Sequence, residues 1–234
     1  MKSKLAAIVI NAILCAIIVA TCLVGFADGG AVQVSGEHDE PYYSAGETAC
    51  GVSLMFNVYQ NTSNVYKILD ILDEYSAKAT FFLGGSWADD NVDCTREIAA
   101  RGHEIGSHGY FHKDQSVMNY RQNLEEISPS VKLLNAVLGD EIKLFAPPSG
   151  AFCDATLSSA SSLGLKTIMW SRDTIDWRDS DVNLIYSRAT NNISSGEFVL
   201  MHTMDVTVAA LPDILSYIIS NGLALVTVSE NLGE

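Results

Sequence analysis

The sequence predicts an α/β fold: a distorted (β/α) barrel of about seven parallel strands, preceded by one N-terminal hydrophobic helix. Three observations carry this. Short apolar runs alternate with longer segments whose apolar residues recur at helical spacing. Gly, Asn and Pro punctuate the joins between them. Seven such units fill residues 49–234, too few for an eight-unit barrel and enough for a smaller one. A doubly wound open sheet is the alternative arrangement of the same units.

Lys2 and Lys4 precede residues 5–27, an apolar run interrupted only by Asn11 and Thr21. A spanning helix needs roughly 20 such residues, whereas a cleaved signal has an apolar core of roughly 7–15. The run is long enough to span, and Gly25, Phe26 and Ala27 would also pass as a small-residue cleavage site. Residues 1–27 are read as a membrane anchor or signal peptide that sends the rest of the chain outward. Residues 28–48, rich in Gly, Ser, Asp and Glu, form a spacer. Residues 49–234 are the functional domain.

Within that domain the expected strands are 51–56, 78–83, 103–105, 143–145, 165–170, 197–201 and 223–228. Between 62 and 75, Val65, Ile68, Leu69 and Leu72 mark one helix face. Asp93 starts a helix to Ala100, with Gly102 past its end. A helix over 119–138 contains Pro129, which must break or kink it. Further helices cover 155–163, 182–189 and 208–220.

The formal charge of −14, from 28 acidic and 14 basic residues, argues against nucleic-acid binding, which needs basic patches. There is no glycine-rich phosphate or dinucleotide motif. Cys15 and Cys22 lie in the apolar segment; Cys50, Cys94 and Cys153 lack the close pairing of a zinc knuckle.

The chemistry gathers at strand ends. His108 and His112 stand four apart, which on a helical turn puts both imidazoles on one face and within reach of one metal ion. They follow the short strand at 103–105. Four further loops follow other strands: 57–61 with Asn57 and Tyr59, 146–150 with Ser149, 173–177 with Asp173, Asp176 and Trp177, and 202–204 with His202. In a barrel these loops open on one face.

With those motifs in view, residues from about 50 to the end resemble the polysaccharide deacetylase family (carbohydrate esterase family four). The likeness is strongest at 77–83, 102–108, 173–177 and the final strand at 223–228, and the membrane-anchored, sporulation-type deacetylases are the most similar subgroup. The resemblance implies metal-dependent removal of N-acetyl groups from cell-wall amino-sugar polymers, outside the membrane. It implies that His108 and His112 bind a divalent metal, zinc for preference. His202 becomes the general acid, tuned by Asp173, and Asn57 stands where the family has its base. Tyr59, Tyr110, Ser149, Asp176 and Trp177 would contact the glycan, with Trp87 beside them.

Three positions depart from the family. Asn57 replaces the basic Asp and has no site to take a proton. Val58 replaces the Asp that ligates the metal and offers no lone pair. Ala146 replaces the Arg that orients the base. Loss of a general base costs roughly 10²–10⁴ in rate. The implied enzyme is therefore slow, and the alternative is a non-catalytic, membrane-tethered glycan-binding protein.

Overall fold

The computed structural model describes residues 13, 14, 16, 40–46 and 49–234. Residues 13, 14 and 16 are helical. Most of the expected anchor and spacer lies outside the described residues. Among the described residues, no helix is long and apolar enough to cross a membrane.

Seven parallel strands form one curled sheet: β1 (Ser53–Val58), β2 (Thr80–Leu83), β3 (Glu104–Ser107), β4 (Leu144–Phe145), β5 (Lys166–Thr167), β6 (Arg172–Asp173) and β7 (Phe198–His202). Their spatial order is β5-β4-β3-β2-β1-β7-β6, so β1 lies inside the sheet and the half-barrel stays open between β5 and β6. Eight helices accompany the strands among the described residues: α1 (Thr62–Glu74), α2 (Gly85–Asp90), α3 (Val92–Ala100), α4 (Tyr120–Leu138), α5 (Asp154–Ser162), α6 (Val182–Thr190), α7 (Asp205–Ser220) and α8 (Val228–Leu232).

The segment before β1 helps close the open side at the bottom. Tyr42 bridges to Ile168 and Ser44 to Glu197, with the Tyr42 amide donating to Thr167 O at 2.9 Å and the Ala45 amide to Gly196 O at 2.8 Å. One short stretch thus joins the chain beyond β5 to the chain before β7.

Side chains alternate across each strand. Leu54, Phe56 and Val58 of β1 pack outward with Phe81, Leu83 and the helices; Met55 packs inward with Phe82, Leu144, Ala146 and Ile168. Parallel strands covered on both faces read as continuous apolar runs, which is why β1 is buried at all six positions.

Several elements differ from the sequence expectation. Residues 223–228 form no strand; Leu225 makes one isolated bridge to Val52, and Thr227 then caps α8 with a capping box to Glu230. The seventh strand is instead β6, two residues long, paired with β7 through Asp173 and Leu200. Pro129 does not split α4, which runs from an Asn119–Gln122 capping box to Gly139 with φ 73°. α2 was not foreseen from the sequence.

His103, just before β3, is buried at 5% exposure with its ring edge-on to Phe81 at 5.3 Å. Neither ring nitrogen has a hydrogen-bond partner among the described residues. Burial, and then the nearby Lys78 ammonium, hold its pKa down to about 4. The unfolded chain takes up this proton near pH 6.5 and the folded chain only near 4. This contribution is therefore fully present above about 6.5 and is lost as pH falls toward 4. Thermal melts between pH 7.5 and 4 should show the wild-type Tm falling by several degrees across that window. His103→Leu should flatten part of the slope; parallel slopes for the two proteins would discard the assignment.

Candidate active site

The ends of β1, β3, β4, β6 and β7 surround a cavity of about 430 Å³. Asn57, Tyr59, Gln60, His112, Ser149, Trp170, Asp173, Trp177, Leu200 and His202 line it. Seven of the ten site residues expected from sequence are therefore wall residues and two, His108 and Asp176, sit behind the wall. Tyr110 and Trp87 do not belong to it.

Asn57 ends the inner face of β1, opposite Phe82 of β2 and His202 of β7 in register. It is 3% exposed, and its Oδ1 has no hydrogen-bond partner among the described residues. Val58 points the other way and is fully buried in the outer apolar core.

His108 follows β3 and is 1% exposed. Its Nδ1 lies 2.8 Å from Ala146 O. A carbonyl only accepts, so Nδ1 carries the proton and Nε2 keeps its lone pair. Burial, and then the neighbouring His112, push the His108 pKa down to about 3, so the ring is neutral at physiological pH. Burial also lowers the pKa of His112. The two ring centroids are 5.1 Å apart at 67°.

The sequence expectation of a helical turn beneath this pair does not hold. The chain from 108 to 114 is loop, with Gly109 at φ 72° and His112 at φ 56°. The rings come together because the loop doubles back, and the Tyr59 ring covers His112 at 4.2 Å.

On the opposite wall, His202 is held by Asp176 and not by Asp173. Asp176 Oδ1 lies 2.8 Å from His202 Nδ1; its Oδ2 accepts from the His202 amide at 2.6 Å and from Thr207 Oγ1 at 2.5 Å. Asp176 is 2% exposed and orients the imidazole so that Nε2 is left for the cavity. Its expected contact with glycan gives way to this role. Asp173 Oδ1 accepts from the Ile175 amide at 2.8 Å, which shapes the 173–177 turn, and the side chain lines the groove.

Tyr110 lies over Gly85 and donates to Asp89 at 3.5 Å, away from the groove. Trp87 is 6% exposed and donates to Thr62 Oγ1 at 3.1 Å. Trp170 is a wall residue that the sequence reading missed, and Gln60 and Leu200 line the groove with it. Trp170 packs on the backbone at Gly150, where any Cβ would collide with its ring, so the 149–150 turn fixes the indole. Ser149 at φ 55° turns the chain beside it.

The polysaccharide deacetylase family matches residues 47–168. A peptidoglycan-N-acetylglucosamine deacetylase of Bacillus cereus is 32% identical over 187 residues, which cover 77% of this chain and 87% of that protein. The chain belongs to the polysaccharide deacetylase family. It is also similar to the uncharacterized protein YlxY of Bacillus subtilis, 34% identical over 203 residues, covering 87% of this chain and 64% of YlxY. Among solved structures, a CE4 family pseudoenzyme from Bacillus anthracis matches with a TM-score of 0.79 and 30% identity, over 82% of this chain and 69% of that one. A mutant of that pseudoenzyme with restored enzymatic activity matches with a TM-score of 0.79 and 28% identity, over 82% and 71%.

Polysaccharide deacetylases are generally metal-dependent. A hydrolytic zinc takes three protein ligands and leaves a fourth position open. Here His108 and His112 offer two imidazoles on one wall, with His202 on the other, and the side chain at 58 is packed into the core. Among the described residues, no group of three or more His, Cys, Asp or Glu side chains could hold a metal ion. The zinc expected from sequence has two of its ligands, and position 58 supplies no carboxylate beside them, so the residues present do not fit it.

Which aspartate serves His202 can be decided by stability. Asp176→Asn leaves three donors facing an amide and should cost about 2–3 kcal/mol. Asp173→Asn should cost under ~1 kcal/mol. Urea unfolding of the two variants measures both, and equal losses would contradict the assigned pairing.

Proposed function

We propose that this protein is an extracytoplasmic glycan-binding member of the polysaccharide deacetylase family. It holds N-acetylated amino-sugar polymer of the cell wall in the groove and does not turn it over at the rate of a complete family member. Residues 1–27 tether it to the membrane or direct its export, residues 28–48 are the spacer, and residues 49–234 carry the groove.

One observation carries the reading: the groove keeps its walls and lacks its hydrolytic floor. Tyr59, Trp170 and Trp177 give flat apolar surface for sugar rings, and Trp177 is 54% exposed at the rim. Ser149, Gln60 and Asp173 supply hydrogen bonds around it. At the floor, Asn57 cannot take a proton from water, and Val58 cannot help hold a metal that would acidify that water. The likeness to a pseudoenzyme of the same family supports this reading.

A second reading, slow deacetylation, is favoured by the paired His202 and Asp176. An imidazole oriented by a buried carboxylate is the arrangement of a general acid, and it would protonate a leaving amine. His108 and His112 as partial metal ligands and Asn57 as a water-orienting amide belong to this reading.

Titration of the full chain with the tetramer of N-acetylglucosamine should show binding that Trp177→Ala weakens about tenfold. Wild-type protein should release little acetate from the same tetramer. The combined substitutions Asn57→Asp and Ala146→Arg, with zinc supplied, should raise that release roughly 10²-fold. If the wild-type protein already matches the double variant, slow hydrolysis replaces binding as its function. If it neither binds nor cleaves the tetramer, both readings fall.

A further inference from the structure

The histidine loop is shaped by a carboxylate that lies behind the groove. Glu126, on α4, is 2% exposed. Its Oε1 accepts the amide protons of Tyr110 at 3.1 Å and Phe111 at 2.5 Å. Its Oε2 lies 3.7 Å from the Lys113 ammonium. The carbonyls of the same stretch are taken by α2: the Gly85 amide donates to Gly109 O at 2.8 Å and the Ser86 amide to Tyr110 O at 3.0 Å. Residues 109–111 are thus gripped by donors on one side and an acceptor on the other.

This grip leads directly into His112. The residue has φ 56°, a conformation that costs a non-glycine side chain energy and persists only when its surroundings impose it. Gly109 allows the close approach: a Cβ there would lie 3.4 Å from Glu126 Oε1, Gln115 Nε2 and a Pro148 ring atom, at a backbone with φ 72°. In a site with a full ligand set, a metal ion bound by both histidines would tie His112 to His108. This groove lacks the carboxylate ligand that such an ion requires.

We propose that Glu126 is the positioning residue of the histidine wall, holding His112 against Tyr59 so that the groove keeps its shape without a metal. The proposal rests on the glycan-binding reading only for its binding readout. A buried carboxylate must have its charge answered by donors, and two backbone amides and one ammonium do so here. The carboxylate therefore fixes Tyr110, Phe111 and Lys113, on either side of His112, before the loop reaches the helix Asn119 caps. Glu126 touches no wall atom of the groove by any hydrogen bond, so its influence runs through the backbone it holds.

The test uses the full chain and its Glu126→Leu and Glu126→Gln variants. Amide hydrogen exchange is followed at Tyr110 and Phe111 against core amides of β1. Affinity for the N-acetylglucosamine tetramer is measured with and without EDTA. Glu126→Leu should lose protection at those two amides by roughly tenfold or more while β1 keeps its own, and should bind the tetramer about tenfold more weakly. Glu126→Gln retains an acceptor oxygen and should recover most of the affinity. EDTA should leave the wild type unchanged. Unchanged exchange and affinity in Glu126→Leu would overturn the proposal, as would a loss of wild-type affinity in EDTA equal to that of Glu126→Leu. If Glu126→Leu does not fold, Glu126→Met, which also lacks an acceptor oxygen, decides: faster exchange confined to Tyr110 and Phe111 supports the proposal, and unchanged exchange refutes it. If the wild type binds no tetramer, the glycan reading fails while the exchange result still tests Glu126.

Discussion

The pairing of β1 with both of its neighbours is the constraint from which the groove follows. β1 lies between β2 and β7, with every one of its residues buried, so its register cannot slip without moving apolar side chains out of the core. That register puts Asn57 on the inner face beside His202 and sends Val58 outward among the helices. His108 reaches the same face through β2 and β3, and Ser149 through β4. One strand therefore builds the floor of the groove and also determines its chemistry. The sheet would carry a family active site at this height, and the two residues it presents there are an amide and a hydrocarbon.

The carboxylates nearest the groove act on backbone. Asp176 accepts the His202 amide as well as the imidazole, and Glu126 accepts the amides of Tyr110 and Phe111. Both acids are at most 2% exposed. A buried carboxylate is tolerated when charge-assisted hydrogen bonds answer it, and those bonds in turn fix the atoms that supply them. The two histidines that face each other across the cavity, His112 and His202, are thus each set by an acid behind the wall. The groove owes its definition to these two anchors more than to any group at its surface.

Much of this was legible in the sequence because it rests on local pattern. The apolar runs at 51–56 and 78–83 read as strands, and Val65, Ile68, Leu69 and Leu72 at helical spacing mark the buried face of α1. What could not be read depends on partners far away in the chain. Residues 223–228 have strand composition, yet the sheet has room for only one bridge there, at Leu225, before the capping box of Thr227 and Glu230 takes over. β6 is two residues long and exists because β7 lies beside it. The choice between Asp173 and Asp176 is of the same kind. Both sit in one short loop, and Thr207 on α7, thirty-one residues from Asp176, is what completes the pair with His202. For the His108–His112 pair a local signal did exist. Gly109 between the two histidines points to a positive φ and so to a loop in place of a helical turn.

The residues at 57, 58 and 146 differ in how well they suit their places. Ala146 and Val58, at zero exposure, fit the apolar core and bury no charge there. Asn57 is different. Its buried oxygen has no partner among the described residues, a condition that costs about 1–3 kcal/mol, and an apolar side chain of similar size at the same place would cost nothing of the kind. Stability alone would therefore favour a residue like Val58 at position 57 as well. Position 57 therefore keeps, at a cost in stability, a neutral hydrogen-bonding group at the floor of the groove, where a hydrocarbon would suit the fold better.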